Sequence, residues 1–308
     1  MSISEDDAKE ILQAEQVGTH QLTVSTPALN LEKLISIQKA FEGSVEIFGF
    51  HIGYARSSSG IVAKAKVIVT ASDNINAIID KVSFENQVDI ALIENAPKLA
   101  QPGLVVFDMD STLIQMECID EIAKLADVGD KVAEVTELAM QGKLDFAESL
   151  HNRVACIEGV DVALLQGIRD RIPLMPGITK LIWTLQQCGW KVAIASGGFT
   201  FFANYLADRL NLDFAVSNQL EIEDGKLTGK VLGEVVDAQK KADTLLALQT
   251  QFGIDDSQTL AVGDGANDLV MMSKAALGVA FRAKPVVRQQ AAAAVTVGGL
   301  DTILDFLE

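Results

Sequence analysis

The sequence predicts an α/β protein in which a small α+β domain precedes a larger domain built on a parallel β-sheet. Three observations lead to this prediction: a βαββαβ pattern up to about residue 95, a linker that contains proline and glycine, and apolar strands that alternate with helices beyond it. Apolar residues make up 49% of the 308 residues and charged residues 22%, a balance that supplies enough apolar surface for sizeable cores.

The first domain, residues 1–95, has the element order of a ferredoxin-like fold. A polar lead-in covers 1–18 and holds at most one helical turn. The apolar spacing after it predicts strands at 21–25, 44–54, 61–71 and 88–93, with helices at 31–41 and 74–81. This pattern resembles the small ACT-type domains that often carry amino-acid sensing. The segment 25–28 (STPA) lacks the glycine that such domains commonly place after the first strand, so no ligand is assigned to it.

The second domain, residues 104–308, follows a linker at 96–103 in which two prolines and a glycine break any regular element. It starts with an apolar strand at 104–108. Residues 115–178 then hold only helical stretches, which predicts a helical cap inserted after the first strand. Beyond the cap, the pattern predicts strands at 191–195, 214–217, 259–262 and 277–280, a hairpin turning at 224–225, and helices between the strands. The alanine run 291–294 predicts one further helix.

Composition excludes several classes of function. The net charge of −17 repels nucleic-acid phosphates, and no apolar run approaches the ~20 residues of a membrane span. The first ten residues, MSISEDDAKE, lack the basic and apolar regions of a secretory signal. Three cysteines cannot all pair, which fits a reducing cytoplasm. We therefore expect a cytoplasmic protein with no nucleic-acid or membrane partner; its oligomeric state, a homodimer included, stays open.

Two aspartates follow the first strand of the second domain, in the segment 107–112 (FDMDST). Residues i and i+2 of an extended chain point the same way, so the carboxylates of Asp108 and Asp110 can converge on one site. In an open parallel sheet that site lies beyond the carboxyl ends of the strands. Two carboxylates this close repel each other unless a cation lies between them or one is protonated.

Three further polar signatures follow along the chain. The strand at 191–195 runs into 196–198 (SGG), whose hydroxyl and backbone N–H groups suit an anion at a helix N-terminus. The strand at 259–262 runs into 263–268 (GDGAND), whose oxygen ligands suit Mg²⁺. Lys240 and Lys241 start the helix before that strand, and either can reach a phosphate as a point charge. Taken singly, each signature is also compatible with an ordinary turn or a solvated side chain.

The ordered set DMDST, SGG, Lys and GDGAND resembles the haloacid dehalogenase superfamily of phosphohydrolases from residue 104 to about 300. The resemblance implies a Rossmann-like parallel-sheet core with a helical cap. It implies that Asp108 is the nucleophile that becomes an aspartyl phosphate and that Asp110 is the general acid and base. It also implies a Mg²⁺ cofactor, held by Asp108, Asp110 and Asp264. The other implied residues bind the phosphoryl group or support the site: Ser196, Gly197, Lys241, Asn267 and Asp268.

The helical insertion narrows the resemblance to the phosphoserine phosphatase branch of that superfamily. A zwitterionic amino acid needs an acid and a base on opposite sides of its pocket. Glu117 and Arg153 supply that pair, and Met140 and Phe146 lie between them in the sequence as further substrate-binding residues. The implied reaction is the Mg²⁺-dependent hydrolysis of O-phosphoserine, a small-molecule substrate, to serine and phosphate in serine biosynthesis.

Two alternatives stay open from the sequence. A sister phosphatase or phosphotransferase would keep the same core and act on another small phosphomonoester through a different cap. An amino-acid-sensing binding protein would carry an inert core. The complete catalytic set favours an enzyme, because an inert core could lose Asp108 or Asp264 without penalty.

Overall fold

The computed structural model of the chain describes residues 18–141 and 143–308, with the side chain of Met140 outside that description. The lead-in predicted over 1–18 therefore falls outside the described residues, apart from its last position. In the part of the chain that is described, no helix is both long enough and apolar enough to cross a membrane.

Five antiparallel strands form the first sheet, in the order β2-β4-β1-β5 with β3 also paired to β4. The strands are β1 (His20–Thr26), β2 (Val45–Ile47), β3 (His51–Tyr54), β4 (Ile61–Val69) and β5 (Asp89–Ile93). Helices α1 (Leu31–Ala40) and α2 (Ile75–Asn86) pack against its buried apolar side chains. The strand predicted over 44–54 is divided in two, because Gly49 adopts a φ of 106° that turns the chain between β2 and β3.

Seven strands form the second sheet, in the order β12-β11-β10-β6-β7-β8-β9. The strands are β6 (Leu104–Phe107), β7 (Lys191–Phe199), β8 (Phe214–Glu223), β9 (Lys226–Leu232), β10 (Thr259–Gly263), β11 (Leu277–Phe281) and β12 (Ala293–Val295). All neighbours pair in parallel except β8 and β9, which form the predicted hairpin. Asp224 and Gly225 turn that hairpin with positive φ angles of 47° and 75°. The predicted α/β fold on a parallel sheet is confirmed.

Helices cover the second sheet and build an insertion between β6 and β7. The inserted helices are α3 (Cys118–Leu125), α4 (Gly129–Met140), α5 (Phe146–Ala155) and α6 (Val162–Arg169). The helices that follow are α7 (Ile178–Gln187), α8 (Thr200–Leu210), α9 (Ala238–Phe252), α10 (Leu269–Lys274), α11 (Pro285–Arg288) and α12 (Ile303–Phe306). Two apolar clusters line opposite faces of the second sheet. The consecutive residues Val105 and Val106 of β6 point to opposite faces and belong to different clusters.

The helix predicted for the alanine run 291–294 is wrong. Ala293 and Ala294 lie in β12, where they pair with Val279 and Ala280 of β11. Alanine has the highest intrinsic helix propensity, but a residue of that size also fits a buried edge position in a sheet. Pairing with β11 therefore decides the local structure against the preference of the sequence.

Two buried carboxylates join the first sheet to the end of the chain. Asp89 accepts hydrogen bonds from the N–H groups of Thr296, Val297 and Gly298 at 2.7, 2.9 and 2.7 Å. Asp305 accepts hydrogen bonds from the Ser25 hydroxyl and from the N–H group of Arg56, both at 2.7 Å. Because buried carboxylates are stable only when they are bonded, these contacts fix the first sheet against the second.

Asp89→Ala should lower the free energy of unfolding by at least about 2 kcal/mol, because three N–H groups at this junction lose their acceptor. Urea unfolding followed by circular dichroism measures the change. Asp73→Ala, which removes an exposed carboxylate of the first sheet's domain, is the matched control and should have little effect. Equal losses in the two variants would contradict the structural role of Asp89.

Candidate active site

The predicted polar signatures meet at one edge of the second sheet. Strands β10, β6 and β7 are neighbours and run in parallel, with Leu104 of β6 paired to Thr259 of β10 and to Lys191 of β7. Their carboxyl ends therefore lie side by side. Asp108 continues from β6, and its N–H group donates to the Val262 carbonyl of β10 at 2.9 Å.

A cleft of about 580 Å³ opens at this edge between the sheet and the inserted helices. Nine of the twelve predicted site residues line it: Asp108, Asp110, Glu117, Phe146, Arg153, Ser196, Gly197, Asp264 and Asn267. The described side chains of Ile119, Leu150 and Phe199 add apolar surface to the same cleft. The cleft thus combines several carboxylates, one guanidinium, one hydroxyl and an apolar wall.

Lys241 and Asp268 lie behind the cleft rather than in its lining. The Lys241 Nζ atom is completely buried and lies 2.9 Å from Asp108 Oδ1, though without the alignment of a hydrogen bond. It donates a hydrogen bond to Asp268 Oδ1 at 2.7 Å. Burial opposes a charged ammonium, but the carboxylates of Asp108 and Asp268 outweigh it and raise the pKa of Lys241 above its usual range. Of the two lysines predicted as candidates, Lys241 reaches the site, whereas Lys240 is half-buried, lies outside the cleft lining and pairs with Glu234.

Asp264 lies in a crowded acidic environment. Its Oδ1 atom accepts a hydrogen bond from the Thr112 hydroxyl at 2.9 Å. Burial raises the pKa of Asp264 to about 7, and the nearby Asp108 carboxylate adds to the increase. Three carboxylates, those of Asp108, Asp264 and Asp268, offer oxygen atoms that all lie within 4.8 Å of one another.

Asp110 has the environment of a carboxylic acid that keeps its proton. Its Oδ1 atom accepts a hydrogen bond from the backbone N–H of Cys118 at 3.3 Å. Burial raises the pKa of Asp110 well above its usual value, and the Glu117 carboxylate raises it further. Burial also raises the pKa of Glu117, although a hydrogen bond of 2.7 Å from the Ser111 hydroxyl favours the charged form. A protonated Asp110 can therefore donate a proton to a leaving group.

Strand β7 continues past its predicted end at residue 195, and its last residues bring the backbone close to the cleft because they include two glycines. A Cβ atom added to Gly197 would lie 2.8 Å from Phe146 Cζ, and one added to Gly198 would lie 2.7 Å from Asp110 Oδ2. Both separations are far below van der Waals contact. Any larger residue at either position would displace a side chain of the cleft, so the two glycines allow the close backbone approach that anion binding through N–H groups needs.

Helix α5 presents three cleft residues from one face. Phe146, Leu150 and Arg153 are spaced i, i+4 and i+7, so they share one side of the helix. A capping box fixes where the helix begins: Asp145 accepts from the Glu148 N–H at 2.8 Å, and Glu148 accepts from the Asp145 N–H at 3.1 Å. The start of α5 therefore sets which side chains of the insertion face the aspartates.

Comparison with known proteins identifies the family. The family model described as haloacid dehalogenase-like hydrolase matches residues 102–276, which is more than half of the chain. The chain belongs to the haloacid dehalogenase-like hydrolases. The family predicted from the four motifs is therefore confirmed.

Curated relatives of this hydrolase include the phosphoserine phosphatases of Haemophilus influenzae and Vibrio cholerae. The first is 56% identical over 227 residues, 74% of this chain and 72% of the relative. The second is 57% identical over 221 residues, 72% of this chain and 67% of the relative. The predicted resemblance to the phosphoserine phosphatase branch is thereby confirmed.

Solved structures of similar proteins extend the match to almost the whole hydrolase chain. The unliganded crystal structure of a probable phosphoserine phosphatase from Vibrio cholerae superposes with a TM-score of 0.79 at 44% identity, covering 98% of this chain and 90% of that one. A substrate-bound phosphoserine phosphatase complex superposes with a TM-score of 0.64 at 39% identity, covering 68% of this chain and 99% of that one.

The acidic cluster of this hydrolase fits a divalent cation. Carboxylate oxygens are the preferred ligands of Mg²⁺. The carboxylates of Asp108 and Asp268, both buried, and of Asp264, half-buried, repel one another without a positive charge between them. Lys241 pairs with Asp108 and Asp268. Asp264 has no such partner among the described ion pairs, and burial and the Asp108 carboxylate together raise its pKa to about 7. A cation beside Asp108 and Asp264 would remove this repulsion.

Three residues in or beside the hydrolase site differ from the sequence-based expectation or lie outside it. Met140 ends α4, and its side chain lies outside the described part of the chain. Thr112 belongs to the predicted motif 107–112, but no role was predicted for it. Its hydroxyl donates a hydrogen bond to Asp264, which follows a different strand. Asn218 of β8 was not predicted at all; its only signal in the sequence is a polar residue inside a strand.

Proposed function

We propose that this hydrolase releases phosphate from O-phosphoserine through an aspartyl-phosphate intermediate. The observation that carries the proposal is the composition of one cleft, in which paired aspartates and a matched acid and base face the same space. Asp108 and Asp110 supply the chemistry of a phosphomonoesterase. Glu117 and Arg153, which line the same cleft, supply charges opposite to those of an amino acid.

The reaction proceeds in two steps at Asp108. A carboxylate oxygen of Asp108 attacks phosphorus, and the bond from phosphorus to the serine oxygen breaks. Asp110 gives its proton to that oxygen, in keeping with its raised pKa. Asp110, now ionised, takes a proton from a water molecule that attacks phosphorus, so that phosphate leaves and the Asp108 carboxylate is restored.

Positive charge and N–H groups hold the phosphoryl oxygens during both steps. Ser196 offers its hydroxyl, Gly197 offers its N–H group, and the Lys241 ammonium lies directly behind Asp108. Asn267 contributes an amide to the cleft lining. Asp268 positions Lys241 through the hydrogen bond between them, since a free buried ammonium would have several other orientations.

Mg²⁺ is the proposed cofactor, with Asp108, the Asp110 carbonyl and Asp264 as the residues that would hold it. The cation, when bound, neutralises the carboxylates and polarises the phosphoryl group. Thr112 would keep Asp264 in place through its hydrogen bond to Oδ1. The hydrogen bond from Thr112 therefore positions Asp264 independently of a bound cation.

Substrate choice depends on the inserted helices. Glu117 would face the ammonium group of serine and Arg153 its carboxylate, with Phe146 closing the cleft above Gly197. Met140 remains a proposed contact from the end of α4. Because water is scarce inside a closed cleft, such charge pairs contribute more than they do on a surface.

Arg153→Ala should lower kcat/KM for O-phosphoserine by about 30- to 4000-fold, because truncating one partner of a desolvated charge pair costs roughly 2–5 kcal/mol. The loss on a small aryl phosphate should be much smaller, since that substrate has no carboxylate. Glu117→Gln should show the same asymmetry through the ammonium group. The measurement is the ratio of kcat/KM for the two substrates in wild type and in each variant.

Arg171→Ala is the matched control for this experiment. Arg171 follows helix α6 of the insertion and, like Arg153, donates its Nε–H to the carbonyl four residues earlier. It is exposed and lies outside the cleft lining. In Arg171→Ala, the ratio of kcat/KM for O-phosphoserine to kcat/KM for the aryl phosphate should equal that of wild type. A wild-type ratio in Arg153→Ala and Glu117→Gln as well would mean that these residues do not recognise serine.

We further propose that residues 1–95 form a domain that supports the catalytic domain, residues 104–308, through the 96–103 linker. Among the described residues that line the cleft, none precedes Asp108, whereas Asp89 and Asp305 bond across the junction. Cys118, Cys156 and Cys188 are free thiols, which supports a reducing cytoplasm as the working compartment. For the oligomeric state we propose a homodimer.

A further inference from the structure

Asn218 lies in the interior, next to the cleft but outside its lining. The side chain is 1% exposed and projects from β8, opposite Phe199 of β7. Its amide bonds two segments that are distant in the sequence. The Nδ2 group donates to the Gly197 carbonyl at 2.7 Å, and Oδ1 accepts from the Val236 N–H at 2.8 Å.

The first of these bonds fixes the peptide group between Gly197 and Gly198. Its carbonyl accepts from Asn218, and its N–H donates to Ser196 Oγ at 3.0 Å. Pairing between β7 and β8 is irregular from Ala195 to Phe199, so the Asn218 amide takes the place of a backbone partner there. Because Ser196 Oγ accepts the Gly198 N–H, the hydroxyl's own hydrogen is directed to another acceptor, which the open cleft can supply.

The second bond holds the chain just before α9. Val236 lies two residues before the first residue of that helix, and Asp237 caps the helix by accepting from the Lys240 N–H at 2.8 Å. Lys241 lies in the first turn of α9 and reaches Asp108. The position of Val236 therefore influences where the Lys241 ammonium lies.

We propose that Asn218 is a positioning residue that holds Ser196 and Gly197, at the end of β7, in place relative to Lys241. The end of β7 and the start of α9 approach the phosphoryl group from different directions along the chain, and a single buried amide joins them. Asn218 does not touch the substrate; it acts through the Gly197–Gly198 peptide and through the start of α9. This role rests on the proposed phosphomonoester hydrolysis. Because Asn218 positions groups that bind the phosphoryl oxygens, the same role applies to every phosphomonoester substrate.

Asn218→Ala tests this role because it removes both hydrogen bonds. We expect kcat to fall by about 100-fold, as a misplacement of catalytic groups near 1 Å produces. The inhibition constant of inorganic phosphate should rise about tenfold, the effect of losing one well-placed hydrogen bond. That constant does not depend on the concentration of active enzyme, so a loss of folded protein alone leaves it unchanged.

Two further variants make the result decisive. Ser217→Ala is the matched control: Ser217 is the buried neighbour on β8, and its hydroxyl has no hydrogen-bond partner among the described residues. Its kcat and phosphate inhibition constant should stay at the wild-type values. Asn218→Thr suits a β-strand and keeps one donor near Gly197, so it should fold and lose less activity than Asn218→Ala.

The assays use an aryl phosphate beside O-phosphoserine, at a temperature where circular dichroism shows every variant to be folded. The kcat/KM of Asn218→Ala should fall by the same factor for the two substrates, in contrast to that of Arg153→Ala. If wild type hydrolyses the aryl phosphate but not O-phosphoserine, the phosphoserine proposal is wrong. The aryl phosphate assay then still measures the effect of Asn218→Ala. A folded Asn218 variant with kcat and phosphate inhibition within about twofold of wild type would overturn the positioning role.

Discussion

Asp108→Asn is expected to lower turnover of O-phosphoserine by at least about 10⁴-fold while the chain stays folded. An amide is a far weaker nucleophile than a carboxylate, so the covalent intermediate cannot form at position 108. The amide fills the same volume beside the Lys241 ammonium, which lies 2.9 Å from Asp108 Oδ1. Phosphate release and the thermal unfolding temperature, measured on the same samples, separate chemistry from folding.

Asp208→Asn, which changes an exposed carboxylate on α8, controls for the loss of one negative charge. It should retain wild-type turnover, since Asp208 lies outside the cleft lining. Turnover of folded Asp108→Asn within about tenfold of wild type would contradict the assignment of Asp108 as the nucleophile.

Removal of divalent cations is expected to lower activity by at least about 100-fold, because a metal ion contributes several kcal/mol to phosphoryl transfer. Added Mg²⁺ should restore the rate. Excess Ca²⁺ should inhibit, since Ca²⁺ accepts more ligands at longer distances and can draw both oxygens of Asp108. The measurement is phosphate release after treatment with chelator and after each cation is added back.

Asp264→Asn provides a second readout that does not depend on turnover. Mg²⁺ should raise the unfolding temperature of wild type, because it binds the folded chain beside Asp264, whose pKa burial and the neighbouring carboxylates raise to about 7. The increase should be much smaller in Asp264→Asn. Full activity in chelator, or an equal increase in both proteins, would rule out a cation at Asp264.

The sequence allowed the central residues of the site to be predicted because the topology of a parallel sheet is regular. Asp108 and Asp264 each follow an apolar strand and Ser196 lies near the end of another, and the carboxyl ends of neighbouring parallel strands meet at one edge. Once the strands are recognised, their convergence requires no knowledge of side-chain packing. The acid and base of the insertion depended on family resemblance instead, because their helices could be recognised but not oriented.

Features that depend on contacts between distant segments could not be predicted. Asn218 acquires its role only when β8 places it beside Gly197 and Val236, which are separated from it by 21 and 18 positions. The alanine run 291–294 shows the same limit at the level of secondary structure. Its local preference for helix is overruled by pairing of β12 with β11, which pattern analysis cannot detect. The bonds of Asp89 to Thr296, Val297 and Gly298 are likewise formed across more than 200 positions.

The most direct test of the proposed function is phosphate release from O-phospho-L-serine, O-phosphothreonine and an aryl phosphate by the full chain, with Mg²⁺ and with chelator. With Mg²⁺, kcat/KM for phosphoserine should exceed that for the aryl phosphate by at least about 30-fold, the smallest contribution expected from one desolvated charge pair. With chelator, release from all three substrates should fall together. Equal kcat/KM values for the three substrates in Mg²⁺ would contradict serine recognition by Glu117 and Arg153, and would indicate a phosphatase of broader specificity.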